Sequence, residues 1–285
     1  MTKSITARIS ESPSAFSKGQ RRIADAILKS YEKVAYMTAA KLGDFCKVSE
    51  STVVRFAGEL GYSGYPEMQR AVQELVRAKL TPNQRIEVTN RRLGDRDVLE
   101  NVLTADAERI KYTLEHIDKD TFKSTVDSLL NAESIYVFGA RSSASLAYFL
   151  SYNLELMFDH VKFLQPSSAG EVFEQILSIK KGDVLFAISF PRYSKKVVDA
   201  VRYAHEQCAT VIALTDSSVS PLSEHADYLL TAQSDMASFV DSLVAPLSIL
   251  NATLAAVAKE RQSEIAQRFD KLERIWDEYD VYDKH

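Results

Sequence analysis

With 285 residues, 46% of them hydrophobic, the chain is long enough for about two ordinary domains with packed cores, and its class is soluble and globular. Two cysteines, Cys46 and Cys208, lie far apart with no CxxC spacing and no clustered histidines, so neither a disulfide framework nor a metal site is expected, and a reduced, cytoplasmic setting fits. The net charge of −4 hides an asymmetry: residues 1–92 hold sixteen Lys and Arg against nine Asp and Glu, and the remaining residues hold nineteen against thirty, a basic front end suited to a phosphate backbone.

In chain order, the opening Met1-Thr-Lys-Ser-Ile-Thr-Ala-Arg8 has no apolar signal core. Ser17-Lys-Gly-Gln20 reads as a capping box. Behind it Ile23, Ile27, Leu28 and Tyr31 give an opening helix one apolar face. A second helix is expected from Thr38, burying Leu42 and Phe45 and ending in a tight turn at Cys46-Lys47-Val48. Ser49 then caps a third helix, in which Val53, Phe56, Ala57 and Leu60 fall at i, i+3, i+4 and i+7. Its opposite face carries Ser51, Thr52 and Arg55, two small hydroxyls near the positive helix end and one long cation. Gly61 suits a left-handed helix stop, and Tyr62-Ser-Gly-Tyr65 forms a turn with two phenols.

A generic three-helix module has the same periodicity, so the polar face carries the functional inference. The stretch 17–76 resembles the helix-turn-helix domain of the RpiR family of bacterial transcriptional regulators, through Val48-Ser-Glu-Ser-Thr-Val-Val-Arg-Phe56 and Leu60-Gly-Tyr-Ser-Gly-Tyr65. The resemblance implies double-stranded DNA as a partner, and the expected contacts are Lys47, Ser49, Ser51, Thr52, Arg55, Tyr62 and Tyr65.

From 77 to 97 the apolar period fades among Pro82, Asn83, Asn90 and Gly94, which reads as a linker with some helical content. Val98, Val102, Ile110, Leu114 and Ile117 restore it in a helix leading onward. The expected division is therefore a helix-turn-helix domain over 1–80, a linker over 81–105 and a second domain over 106–285.

In that domain apolar, branched runs at 135–138, 161–164, 184–188, 211–214 and 228–230 alternate with helical stretches. Continuous hydrophobicity predicts strands covered on both faces, hence a three-layer α/β sandwich with a parallel sheet. Two Ser-rich loops, Gly139-Ala-Arg-Ser-Ser143 and Ser189-Phe-Pro-Arg-Tyr-Ser194, fall at strand ends, where such sheets gather ligands. Backbone N–H groups and hydroxyls can converge there on an anion without a metal or cofactor.

The region 122–260 resembles a sugar-isomerase (SIS) domain, which in this family follows the helix-turn-helix and binds phosphosugars. The resemblance assigns Ser143 to the first phosphate loop, Ser189 and Ser194 to the second, and Thr215-Asp-Ser-Ser-Val-Ser-Pro-Leu222 to the segment closing the pocket. Where many SIS loops carry glycine, this chain has Arg141, and Pro191 and Arg192 interrupt the second loop. The expected ligand set is Arg141, Ser142, Ser143, Ser189, Arg192 and Ser194. The two arginines either recognise a more anionic ligand, such as a sugar acid or its phosphate, or pair with a neighbour such as Asp216.

Isomerisation needs a base and an acid. Glu171 is the one carboxylate placed where some SIS enzymes carry a base, and His160, His205 and His225 are scattered, so a capping Glu171 and no enzymatic activity are expected. The apolar stretch 243–258 is short for a bilayer and interrupted by Pro246, Ser248, Asn251 and Thr253. A helix over 239–259, apolar on more than one face, suggests a homodimer or homotetramer, and Phe269, Leu272, Ile275 and Trp276 mark a last amphipathic helix.

Overall fold

The computed structural model describes residues 5–11, 16–79, 81–93, 97–236 and 238–282. Gly94, expected in the linker, and the first four residues lie outside the described residues. The chain divides into two compact units, Met1–Arg92 and Leu93–His285.

The first unit is helical: α1 (Ile5–Glu11), α2 (Lys18–Val34), α3 (Ala39–Cys46), α4 (Glu50–Glu59), α5 (Tyr65–Lys79) and α6, which begins at Pro82. The capping box forms at the head of α2, where Gln20 N–H donates to Ser17 Oγ and Ser17 N–H to Gln20 Oε1. Ile23, Ile27, Leu42, Val53, Phe56 and Met68 are fully buried together, and Phe16 meets Phe56 edge-on at 5.2 Å. Two expectations change. Phe45 is 48% exposed, because the inward stripe of α3 is Ala39, Leu42, Gly43 and Cys46, at i, i+3, i+4 and i+7. Leu28 likewise lies off the buried line of α2 and is 39% exposed.

The segment from Pro82 to Leu93 is a continuous helix of 12 residues. Thr81 and Gln84 form its capping box, Gln84 N–H to Thr81 Oγ1 and Thr81 N–H to Gln84 Oε1, with Pro82 in the first turn where a missing N–H costs nothing.

The second unit opens with α7 (Val98–His116) and α8 (Lys119–Leu130) and then alternates strand and helix: β1 (Ile135–Gly139), α9 (Ser143–Glu155), β2 (Val161–Phe163), α10 (Ala169–Gln175), β3 (Val184–Ile188), α11 (Lys195–Glu206), β4 (Thr210–Thr215), β5 (Tyr228–Thr231), α12 (Val244–Glu260) and α13 (Gln262–Glu278). All strand pairs are parallel, in the order β2-β1-β3-β4-β5, with Ile135 opposite both Val161 and Val184. Alternate side chains enter two separate cores. Val137, Phe186, Ile212 and Leu214 pack with α8, α9 and α12, while Tyr136, Phe138, Leu185 and Val211 pack with α10 and α11. Burial on both faces explains why these strands read as unbroken apolar runs.

The expected helix over 239–259 begins only at Val244, with Pro246 in its first turn. Phe239 and Val240 are exposed in the preceding bends. Among the described residues no helix is long and apolar enough to cross a membrane.

Candidate functional site

In the first unit the turn between α3 and α4 is set by sterics. Lys47 takes the left-handed conformation (φ 54°) that ends α3, and a Cβ on Gly43 would stand 2.8 Å from the carbonyl oxygen of Val48. Ser49 caps α4 by accepting from Thr52 N–H, and its hydroxyl lies 2.9 Å from those of both Ser51 and Thr52. Lys47, Ser49, Ser51 and Arg55 are exposed, and Thr52 is half-buried at the flank of the helix. These residues form a hydroxyl-rich, cationic surface at the amino end of α4, where free N–H groups and the helix dipole favour anions.

The two tyrosines point elsewhere. Tyr65 is buried and donates its hydroxyl to the carbonyl of Met37 at 2.6 Å, and burial pushes its phenol up to about 12. Tyr62 is buried beneath Arg8, whose guanidinium lies 4.5 Å over the ring and donates to Leu60 O at 2.6 Å. Both phenols thus brace the exit of α4 instead of facing outward, a role that depends on contacts with α1 and α2–α3 and has no local sequence signal.

In the second unit β1 and β3 are neighbours although β2 intervenes in the chain, so the chain leaves β1 in one direction and β3 in the other. The crevice at such a switch point is the standard ligand position in open parallel sheets. The loops that follow β1 and β3 both rise there, and they hold Arg141, Ser142, Ser143, Ser189, Arg192 and Ser194. Gly139 closes the first loop, because a Cβ there would collide with the carbonyl of Ser143. Ser143 is buried in the first turn of α9, and Ser142, beside it, makes no side-chain cap. In the second loop the Ser189 hydroxyl accepts from Ser194 N–H at 3.2 Å, so Ser189 shapes the loop, while Ser194 leaves the head of α11 without a side-chain cap. Neither helix start is therefore capped by a serine side chain, and at α9 the N–H groups of Ser143 and Ala144 already donate to the carbonyls of Ala140 at 3.2 Å and Arg141 at 3.1 Å.

Arg141 and Arg192 occupy matching strained positions, at φ 59° and 62°. A left-handed non-glycine residue costs on the order of 1–2 kcal/mol. Both side chains are exposed, and neither makes an ion pair among the described residues. Asp216, the carboxylate weighed as their partner, accepts from Tyr193 OH at 2.7 Å and from Thr215 Oγ1 at 3.2 Å. Tyr193 thus ties the second loop to the segment after β4, a link that sequence spacing did not reveal. Ser220, inside that segment, lies 3.0 Å from Thr215 Oγ1 and anchors it.

Glu171 is locked as a cap. Its carboxylate accepts from the Ser167 hydroxyl and from the Ser167 backbone N–H at 2.6 Å, which together hold it below the usual carboxylate range, and its own N–H donates to Ser168 Oγ. A carboxylate already accepting two hydrogen bonds and stabilised as the anion is a poor proton acceptor. The rings of His205 and His225 lie 5.5 Å apart, tilted by 41°, outside both loops. No group of His, Cys, Asp and Glu able to hold a metal occurs among the described residues.

A cavity of about 480 Å³ lies at the opposite, amino end of the sheet, lined by Ile135, His160, Arg261 and Arg268 among others. Its cations are already committed, Arg268 to Asp159 at 2.6 Å and Arg261 to Glu264 at 2.7 Å. The strand-end loops, with helix starts that no side chain caps and with Arg141 and Arg192 outside every ion pair among the described residues, are the better anion site.

Comparison with known proteins agrees with both halves of this description. The model of the helix-turn-helix domain, rpiR family, matches residues 3–79, and that of the SIS domain matches 128–256. The chain is 30% identical to the HTH-type transcriptional regulator HexR of Escherichia coli K12 over 75% of this chain and 73% of that one. It is 26% identical to an HTH-type transcriptional regulator of Caldanaerobacter subterraneus over 95% of this chain and 96% of the relative. Among solved structures, the sugar isomerase domain of an RpiR transcription factor from Sphaerobacter thermophilus superposes with a TM-score of 0.59 at 26% identity, over 61% of this chain and 97% of that one. The Vibrio vulnificus NanR protein, solved in complex with ManNAc-6P, superposes with a TM-score of 0.60 at 22% identity, over 95% and 97% of the two chains.

Proposed function

Because this chain belongs to the RpiR family of helix-turn-helix transcriptional regulators with a SIS domain, we propose that it controls genes of carbohydrate metabolism by binding operator DNA through α4. A phosphorylated sugar or sugar acid held in the loops after β1 and β3 would set that DNA affinity. The observation that carries the ligand half is the pair of uncapped helix starts facing one crevice, each preceded by a left-handed arginine. A phosphate is suited to the hydroxyls of Ser142, Ser143 and Ser194 and to the positive ends of α9 and α11, and the strain at Arg141 and Arg192 is consistent with a second anionic group on the ligand. The DNA half is supported by the exposed Lys47, Ser49, Ser51 and Arg55.

The chain acts as a regulator and not as an isomerase in this reading. Its relatives carry regulator names, and Glu171 is committed to Ser167. The protein works as a symmetric dimer in the cytoplasm. Support for the dimer comes from the exposed Leu99, Leu103 and Leu114 on α7 and from an apolar groove of about 280 Å³ between α7, α8 and α12. Ligand binding then favours one DNA-binding arrangement of the dimer over another, a shift of population.

The test is selection of genomic DNA fragments by the full-length protein, followed by titration of the retained site with a panel of phosphorylated sugars and sugar acids. The expected result is a palindromic site whose affinity changes with one ligand in the wild type and stays constant in Ser143→Ala. Unchanged DNA affinity at saturating ligand would defeat the regulatory reading, and turnover of an aldose or ketose phosphate would replace it with catalysis.

A further inference from the structure

The outward face of α4 carries a partly exposed valine and a glycine that nothing crowds. Ser51, Val54, Arg55 and Gly58 fall at i, i+3, i+4 and i+7, opposite the buried Val53, Phe56 and Ala57. Around the helix they run Val54, Gly58, Ser51, Arg55, so Gly58 and Ser51 occupy the centre of the face and Val54 flanks them. Val54 is 44% exposed, an apolar side chain displayed beside hydroxyls and a cation. Gly58 is helical, and a Cβ built on it meets nothing within 4 Å. Neither a left-handed backbone nor internal crowding accounts for glycine at that position, although glycine weakens a helix relative to alanine.

We propose that Val54 and Gly58 are specificity-determining residues of the DNA interface: Val54 packs on the C5-methyl group of a thymine in the major groove, and Gly58 lets the sugar–phosphate backbone approach α4 closely. The inference rests on the DNA reading given above. An exposed valine at the flank of a recognition face finds an apolar partner on duplex DNA only at the thymine methyl, since the other groups presented on the major-groove edge are hydrogen-bond donors and acceptors. The bare Gly58 backbone, one turn beyond Val54 and Arg55, leaves room where a helix that enters by its amino end converges with the groove wall. Arg55 beside them reads a neighbouring base or phosphate, and Val54 adds the discrimination of thymine from cytosine that a hydroxyl lacks.

The test uses the full-length chain and the DNA site recovered by selection. Each thymine is replaced in turn by uracil, which removes only the methyl group, and binding is measured for wild type, Val54→Ala and Gly58→Ala. Wild type should lose about fourfold at one thymine per half-site, the worth of one buried methyl group. Val54→Ala should bind the thymine and uracil versions of that site equally. Gly58→Ala should melt at the same temperature as wild type or higher, because the space is open and alanine favours helix, yet bind the site at least tenfold more weakly. Selective binding with a flat uracil scan, or an equal uracil loss in Val54→Ala, overturns the Val54 assignment. Undiminished binding by Gly58→Ala overturns the assignment of Gly58. Absence of any sequence-selective binding by wild type overturns the DNA reading itself, and this inference with it.

Discussion

Single residues in this chain divide into those the backbone requires and those it merely tolerates. Gly43 is required: a Cβ there would press on the Val48 carbonyl at 2.8 Å, with backbone on both sides unable to yield. Gly43→Ala is expected to cost about 1–3 kcal/mol, read as a lowered unfolding midpoint together with lost DNA affinity. Arg141 and Arg192 are tolerated at φ 59° and 62°. Replacing either with glycine relieves left-handed strain but adds unfolded-state freedom, so stability should stay within about 1 kcal/mol of wild type. Affinity for the anionic ligand should nevertheless fall about tenfold or more in calorimetric titration, the scale of one lost charge-assisted hydrogen bond. Tyr65 gives the pH signature. Its folded pKa of about 12 lies above its ordinary 10.0, so the protonated phenol contributes stability that is complete below pH 10 and lost as pH rises from 10 towards 12. Tyr65→Phe should therefore lose less stability than wild type between those pH values in alkaline denaturation.

At the scale of elements, capping chemistry proved more telling than apolar period. Thr81-Pro-Asn-Gln84 carries every sign of a helix start, a Thr cap, Pro in the first turn and Gln three residues on, and α6 begins there although its apolar pattern is weak. Thr81→Ala is expected to cost about 1 kcal/mol locally, seen as faster amide hydrogen exchange in the first turn of α6. Phe45 taught the converse: hydrophobic character alone assigned it to the core, whereas the i, i+3, i+4, i+7 stripe of α3 runs through Gly43 and Cys46. In α13 only Ile265 is buried, while Phe269, Leu272 and Trp276 are half-buried, so the amphipathic pattern predicted the helix without predicting what would cover its face.

For the whole molecule, the existence of two units with separate cores predicts two responses to ligands. Saturating phosphosugar at about one hundred times its Kd should raise the stability of the second unit by about 2.7 kcal/mol and leave the first unit's transition in place. Calorimetry of the full chain, with and without ligand, reads this directly, and Ser143→Ala should remove the shift. DNA should act on the other transition. A single transition that moves as one with either ligand would mean that the two units unfold together.

The sequence by itself determined the two-unit order, the helical and parallel α/β classes, the capping box at Ser17 and the strand-end serine loops, because each follows from local periodicity, backbone chemistry or continuous burial. The family resemblance was legible for the same reason, in contiguous motifs around Val48 and Gly139. Tertiary structure decided what depends on residues far apart in the chain. It turned Tyr62 and Tyr65 inward through Arg8 and Met37, tied Asp216 to Tyr193 and Thr215, and placed β1 beside β3 so that two loops separated by some fifty residues share one crevice. Spacing along a chain reports which face a side chain occupies, and only packing of distant elements reports what already occupies the space it faces.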